Sequence, residues 1–289
     1  MNAVVLVAHG TVASLDDLGA FLTTIRRGHA PPPELLAEVR RRYEAIGGKS
    51  PLNDINQALA CKLERELGLP VRLANRLTAP GLETVFAELQ HVERVVAIPL
   101  AQHSSGVYAD ACRAAHAAVA ARFSLVCAPN WGRAPGLVRA YSERIDAALQ
   151  GVGSYARVVM TAHSLPLAVL RRGDPYEREV RAAAEAIGAN LRVPWTVAFQ
   201  SQGLGSSGDW LGPNLQEVFD ASRREGHGTV VVAPTGFLAD HVEVLYDLDV
   251  EARLWATERR LAFVRTRSLN DDDDLVQVLA VLARDLLGA

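Results

Sequence analysis

The sequence predicts an α/β protein of two Rossmann-like lobes, each a mostly parallel sheet flanked by helices. Three observations carry this. Short, nearly continuous apolar runs alternate with longer segments of helical spacing. Two of those runs return later in the chain, in the same order. The composition, 49% hydrophobic and 22% charged over 289 residues, suits a large core, since a chain of this length buries about three quarters of its unfolded surface.

The apolar runs are 3–8 (AVVLVA), 95–99 (VVAIP), 157–162 (RVVMTA), 195–199 (WTVAF) and 229–233 (TVVVA). They lack polar alternation, as strands do when helices cover both faces of a parallel sheet. Between them, helical spacing marks 33–45, 53–67, 109–122, 176–187 and 214–224. A final helix over 275–287 follows four aspartates, 271–274, which read as an acidic N-terminal cap favoured by the helix dipole.

The repetition divides the chain. VVLVAHG (4–10) is echoed by RVVMTAHS (157–164), and VVAIPLAQHSSGVY (95–108), more loosely, by VVVAPTGFLADHVEVLY (230–246). The expectation is two related lobes, 1–134 and 135–289, joined by a helix over 135–150 and a glycine-rich stretch. It puts His9, His103, His163 and His241 at or just beyond the C-terminal ends of strands. Open α/β sheets bind ligands along that rim, so the site is expected in the cleft between the lobes.

Several functions are excluded. A net charge of −3 and a pI near 6.3 argue against nucleic-acid binding through bulk charge. Three scattered cysteines, Cys61, Cys112 and Cys127, read as ordinary buried thiols of a reducing compartment. The opening MNAVVLVAHG has no basic segment, and no apolar run approaches the roughly 18 residues of a membrane span. A cytoplasmic protein without a transmembrane segment is expected. Gly203-Leu204-Gly205-Ser206-Ser207-Gly208 fits G-x-G-x-x-G, but DWLGP (209–213) intervenes before any helix and the next strand ends without an acidic residue. A dinucleotide site is not expected.

Three clusters carry chemistry. Glu243, Asp247 and Glu251 stand four apart, forming one acidic stripe on a helix. The stripe reads either as a solvated face or as a cation site. A histidine at its start and the apolar neighbours Val244, Leu245 and Leu248 weigh toward the second. A π-type widening would align the three more closely. His163, in AHSLP, sits where a strand ends; a lone strand-end histidine is commonly structural, but its echo at His9 points to a site. Neutral imidazole suits Fe, Zn, Cu and Ni and accepts protons near neutral pH. On the basic side, Arg26, Arg27, His29 and Arg40 to Arg42 precede Tyr43, Gly47-Gly48 and Ser50. They read as a carboxylate site of arginine forks or as a surface amphipathic helix. Trp210 and GDPY (173–176) read as loop anchors.

Together these motifs resemble ferrochelatases. IRRGHAPPPELL (25–36), RYEAIGGKSPL (42–52), AHSLP (162–166), GDPY, FQSQ (199–202), DWLGP and GFLADHVEVLYDLDVE (236–251) are similar to that family's motifs, in its order, along nearly the whole chain. IRRG and HVEVLYD are more similar to the coproporphyrin-type bacterial enzymes than to the protoporphyrin type. The resemblance implies a two-lobed chelatase-type fold and a metal-inserting lyase of haem biosynthesis. It implies Fe²⁺ as substrate, with coproporphyrin III favoured and protoporphyrin IX next, and neither an organic cofactor nor an iron–sulfur cluster. It implies His163 and Glu243 as the catalytic, metal-site pair and Asp247 and Glu251 as an acidic relay. Arg26, Arg27, Arg42, Tyr43 and Ser50 would line the macrocycle and its propionates. An iron donor or haem acceptor would be a transient partner.

Two departures stand out. Where the coproporphyrin-type enzymes carry tyrosine, this chain has His9, a further candidate metal ligand that cobalt chelatases of the sirohydrochlorin pathway share. A family tyrosine after the His103 turn is replaced by Cys112, with Tyr108 about a turn away. The competing readings are a chelatase for another metal or tetrapyrrole and a two-lobed haem- or metal-binding protein without chemistry.

Overall fold

The computed structural model describes residues 1–153, 155–203 and 209–288. Beyond Gly203, the glycine-rich G-x-G-x-x-G run lies outside the described residues. The chain divides into two compact units, Met1–Gly136 with Asn270–Ala289, and Leu137–Leu269.

The first unit carries β1 (Asn2–Ala8), α1 (Leu18–Ile25), α2 (Pro33–Ala45), α3 (Leu52–Leu67), β2 (Val71–Asn75), α4 (Leu82–Glu88), β3 (Arg94–Pro99), α5 (Ser105–Ala118) and β4 (Ser124–Cys127). Its sheet is wholly parallel in the order β2-β1-β3-β4. Six of the seven β1 residues are buried, which is why the run shows no polar alternation. Phe86, Phe123 and Cys112 pack with Val5, Val7, Val95 and Ala97 on one face.

Next come α6 (Pro135–Leu149), β5 (Ala156–His163), α7 (Leu167–Leu170), α8 (Tyr176–Gly188), β6 (Trp195–Gln200), α9 (Leu215–Arg224), β7 (Thr229–Ala233), α10 (Val242–Val244), a π-helical stretch (Leu245–Ala252), α11 (Arg253–Glu258) and β8 (Ala262–Arg265). The second sheet is also parallel, in the order β6-β5-β7-β8. Each sheet therefore has its second strand at one edge, beside its first, then its third and fourth. The echoed segments take equivalent places: β1 matches β5, and β3 matches β7. Because β5 and β7 are parallel neighbours, the loops following them emerge on the same sheet edge, where the site forms.

The division differs from the expected 1–134 and 135–289 at its end. Helix α12 (Asp273–Leu287) packs against α3 of the first unit. Its buried face is Leu275, Val276, Val278, Leu279, Ala280 and Ala283. At its ends, Lys62 Nζ reaches the Asp271 carbonyl at 2.6 Å and Arg284 reaches Glu66 at 3.0 Å. The apolar face, rather than these half-exposed pairs, supplies most of the attachment.

Candidate active site

His163 is the last residue of β5, and three contacts fix it. Ser164 N–H donates to the Gln200 carbonyl at 2.7 Å, continuing the β5–β6 ladder by one rung. The Tyr176 hydroxyl donates to the His163 carbonyl at 2.9 Å. The ring Nδ1 donates to the Ser164 carbonyl, which turns Nε2 outward. Nε2 lies 3.5 Å from Glu243 Oε1. Pairing with the other carboxylate oxygen, His241 Nε2 lies 3.6 Å from Glu243 Oε2. His241 is the extended N-cap of α10. Its own Nδ1 donates to the Ala239 carbonyl at 3.0 Å, and its ring tilts against Phe237. Gln200 closes the group by donating from Nε2 to the Glu243 carbonyl at 3.0 Å. One carboxylate thus sits between two imidazoles. The side chains of His163 and Glu243 keep 35% and 36% of their surface open, so a ligand can reach them.

Sequence alone suggests an imidazole titrating near 6.5. Here burial pulls His163 below that, but the charge and hydrogen bonding of Glu243 outweigh it. With help from the Ser164 carbonyl and Asp247, they lift the ring to about 9. For Glu243, burial pushes the carboxyl up and is overcome by His163 and His241, leaving it well below the usual carboxylate range. The resting pair at neutral pH is therefore imidazolium and carboxylate.

Glu243, Asp247 and Glu251 do share one helix, and it is π-helical from Leu245 to Ala252. Asp247 is only 3% exposed and accepts a hydrogen bond from Ser201 Oγ, while Glu251 is half-buried. The solvated-face reading of the stripe is thereby excluded. Ser201 holds a left-handed backbone, φ +61°, to reach it. Among the described residues, no group of three or more His, Cys, Asp or Glu side chains is arranged to hold a metal ion.

The other candidates belong to the first unit. His9 follows β1, is exposed and meets the Phe21 ring edge-on at 6.4 Å. Arg26 and Arg27 are exposed at the end of α1, Arg27 with φ +56°. Arg42 is half-buried and pairs with Glu38 at 2.9 Å. Arg41, then Arg42, holds Glu38 at about 2 against the opposing effect of burial. Tyr43 and Ser50 are 2% and 1% exposed, and their hydroxyls hold the loops around them. The Tyr43 hydroxyl bonds Thr11 Oγ1 at 2.7 Å, Thr11 and Asn53 exchange two further bonds, and Ser50 Oγ accepts from Leu52 N–H at 3.4 Å. Of the three cysteines expected to be buried, Cys112 lies wholly inside the core, Cys127 is half-buried and Cys61 is exposed on α3. His103 is 4% exposed and packed so tightly on Gly132 that a Cβ there would come within 2.2 Å of its ring.

Gln200, Ser201 and Tyr176 are site residues that sequence reasoning missed as such; His241 is on the expected rim, but its contact with Glu243 could not be read from the sequence. FQSQ and GDPY held the signal as motifs. The assignment of each bond needed the β5–β6 register, in which His163 faces Gln200.

The ferrochelatase family model matches residues 1–287. A ferrochelatase of Thermus thermophilus is 38% identical, with 96% of each chain covered. The coproporphyrin III ferrochelatase of Mycobacterium ulcerans is 35% identical over 99% of this chain and 86% of its own; that of Mycobacteroides abscessus is 33% identical over 99% and 88%. Among solved structures, SirB from Bacillus subtilis with Fe³⁺ superposes with a TM-score of 0.63 at 16% identity, covering 99% of this chain and 95% of its own. CbiX gives 0.56 at 16% identity, covering 98% of both. At that identity the two structures speak to the fold alone. The family-model match over nearly the whole chain and the near full-length similarity to these relatives lead to one conclusion: the chain belongs to the ferrochelatase family.

Proposed function

We propose that this chain inserts Fe²⁺ into a porphyrin in haem biosynthesis, with coproporphyrin III preferred over protoporphyrin IX. The observation that carries the proposal is the 3.5 Å approach of His163 Nε2 to Glu243 Oε1, at the head of a π-helical acidic stripe. The reaction exchanges two pyrrole protons for one divalent ion and changes no oxidation state, so it calls for no organic redox cofactor and no iron–sulfur cluster. The setting is proposed to be cytoplasmic, with a transient iron donor or haem acceptor. No helix of the described residues is long and apolar enough to cross a membrane.

Glu243 meets the incoming Fe²⁺. Once its charge is engaged by the ion, the carboxylate no longer holds the His163 proton, which passes to the Asp247 carboxylate; the freed imidazole then accepts the two pyrrole protons in turn and hands each on. Asp247 and Glu251 lead protons away. Exposed Arg26 and Arg27, with Arg42, neutralise propionates. Distorting the ring to bare a nitrogen lone pair costs about 1–5 kcal/mol, offset by binding of the ring's periphery. His9 adds an exposed imidazole that ligates the metal of the product.

The test is an anaerobic assay of Fe²⁺, Co²⁺ and Zn²⁺ against coproporphyrin III, protoporphyrin IX and sirohydrochlorin. His163→Ala should lower turnover at least 100-fold while porphyrin binding stays measurable. Full activity in that variant would refute the proposed role. His9 favours a second reading, cobalt insertion into a sirohydrochlorin-like ring, and Co²⁺ turnover on that ring alone would establish it. A protein that binds without chemistry would stop at one equivalent.

A further inference from the structure

One ionic cluster of the second unit has no part in this chemistry. β8 ends at Arg265, whose side chain is 14% exposed. Its guanidinium grips Asp249 as a fork, Nε to Oδ1 at 2.7 Å and Nη2 to Oδ2 at 2.8 Å. A third donor, Nη1, reaches Asp240 Oδ1 at 3.2 Å. Asp240 also accepts from Ser268 Oγ at 2.7 Å. Asp240 directly precedes His241, and Asp249 lies inside the π-helical stretch. The two anchors therefore bracket the segment that carries His241, Glu243 and Asp247.

A sequestered cluster of this kind is a poor source of net stability, because desolvation offsets most of its attraction. Its geometry can still select a register. A π-helical stretch shelters one more residue per turn than an α-helix. Losing that residue would rotate the side chains beyond it by about 100°, the α-helical step per residue. A planar fork with three fixed donors accepts only one placement of its partners, which a lysine point charge would not enforce.

We propose that Arg265 is a positioning residue: its fork on Asp249 and third bond to Asp240 lock the π-helical register that keeps Glu243 against His163. The catalytic consequence rests on the iron-insertion reading above; the lock itself does not. In Arg265→Lys and Arg265→Gln, kcat for Fe²⁺ insertion should fall at least tenfold while KM for porphyrin changes less than threefold. Lysine should retain more of the rate than glutamine. Independently of turnover, the His163 ring, followed by NMR, should move from its titration near 9 toward ordinary imidazole values as Glu243 leaves it. If wild-type protein turns over no iron, the function fails while the NMR titration still decides the lock. Asp249→Asn keeps the side-chain size without the two-oxygen acceptor, and must show the same shift should the Arg265 variants not fold. Unchanged kcat and unchanged His163 titration in any folded variant of the pair would overturn the proposal.

Discussion

Beside an ionised Glu243, the His163 ring keeps its proton up to about pH 9, although burial alone would release it below its usual 6.5. The stability this pair contributes has a definite pH window. The histidine's share is complete below about 6.5 and is lost as pH rises through about 9. The carboxylate's share is present above the usual 4.5 and is lost only as pH falls through its lowered value. Glu243→Gln removes the charge and leaves burial opposed only by the Ser164 carbonyl and, less, by Asp247. The variant's imidazole should then titrate near or below 6.5 by NMR. Its melting temperature should stay level between pH 6.5 and 9, where the wild type's declines. A wild-type ring titrating near 6.5 would sink this account, and with it the picture of a proton surrendered only when the metal arrives.

At the scale of elements, the site depends on how closely the turn after β7 is pressed onto the end of β5. Gly236 N–H donates to the Thr161 carbonyl at 2.8 Å. A Cβ at Gly236 would lie 2.5 Å from Ala162 Cβ and 2.9 Å from the Thr161 carbonyl oxygen. Backbone atoms cannot swing aside as a side-chain tip can. Gly236→Ala should therefore cost about 1–3 kcal/mol, as overpacking does, and should shift His163, two residues further along β5. Denaturant unfolding and the His163 NMR signal check both. A neutral substitution would show that the turn is free to move.

This level also shows what was legible beforehand. All five predicted apolar runs are strands, four of them the central β1, β3, β5 and β7. The strands that escaped, β2, β4 and β8, all lie at sheet edges. VRLAN breaks its buried positions with an exposed arginine, and SLVC and AFVR are exposed or half-buried throughout, so these short strands leave no continuous apolar signature. The site divides similarly. His163 and the acidic stripe could be read from local spacing and family wording. The imidazole of His241 on Glu243, the Ser201 bond to Asp247 and the Arg265 fork arise from tertiary contacts that no local pattern encodes.

For the molecule as a whole, the chain crosses between its units twice, near Gly136 and again near Leu269, because the last helix returns to the first unit. Removing side chains from the buried face of α12 should therefore weaken the first unit rather than the one that precedes the helix in sequence. Leu279 is completely buried, and Leu279→Ala should cost about 2–5 kcal/mol, depending on how far the cavity collapses. Hydrogen exchange can assign that loss. Amides of β1 to β4 and α3 should lose protection first, while those of β5 to β7 stay near wild type unless both units unfold in a single step. Preferential loss in β5 to β7 would show that α12 stabilises the wrong unit for this account. Under the predicted pattern, the His163–Glu243 pair would keep its NMR signature in Leu279→Ala at temperatures where the first unit has begun to open.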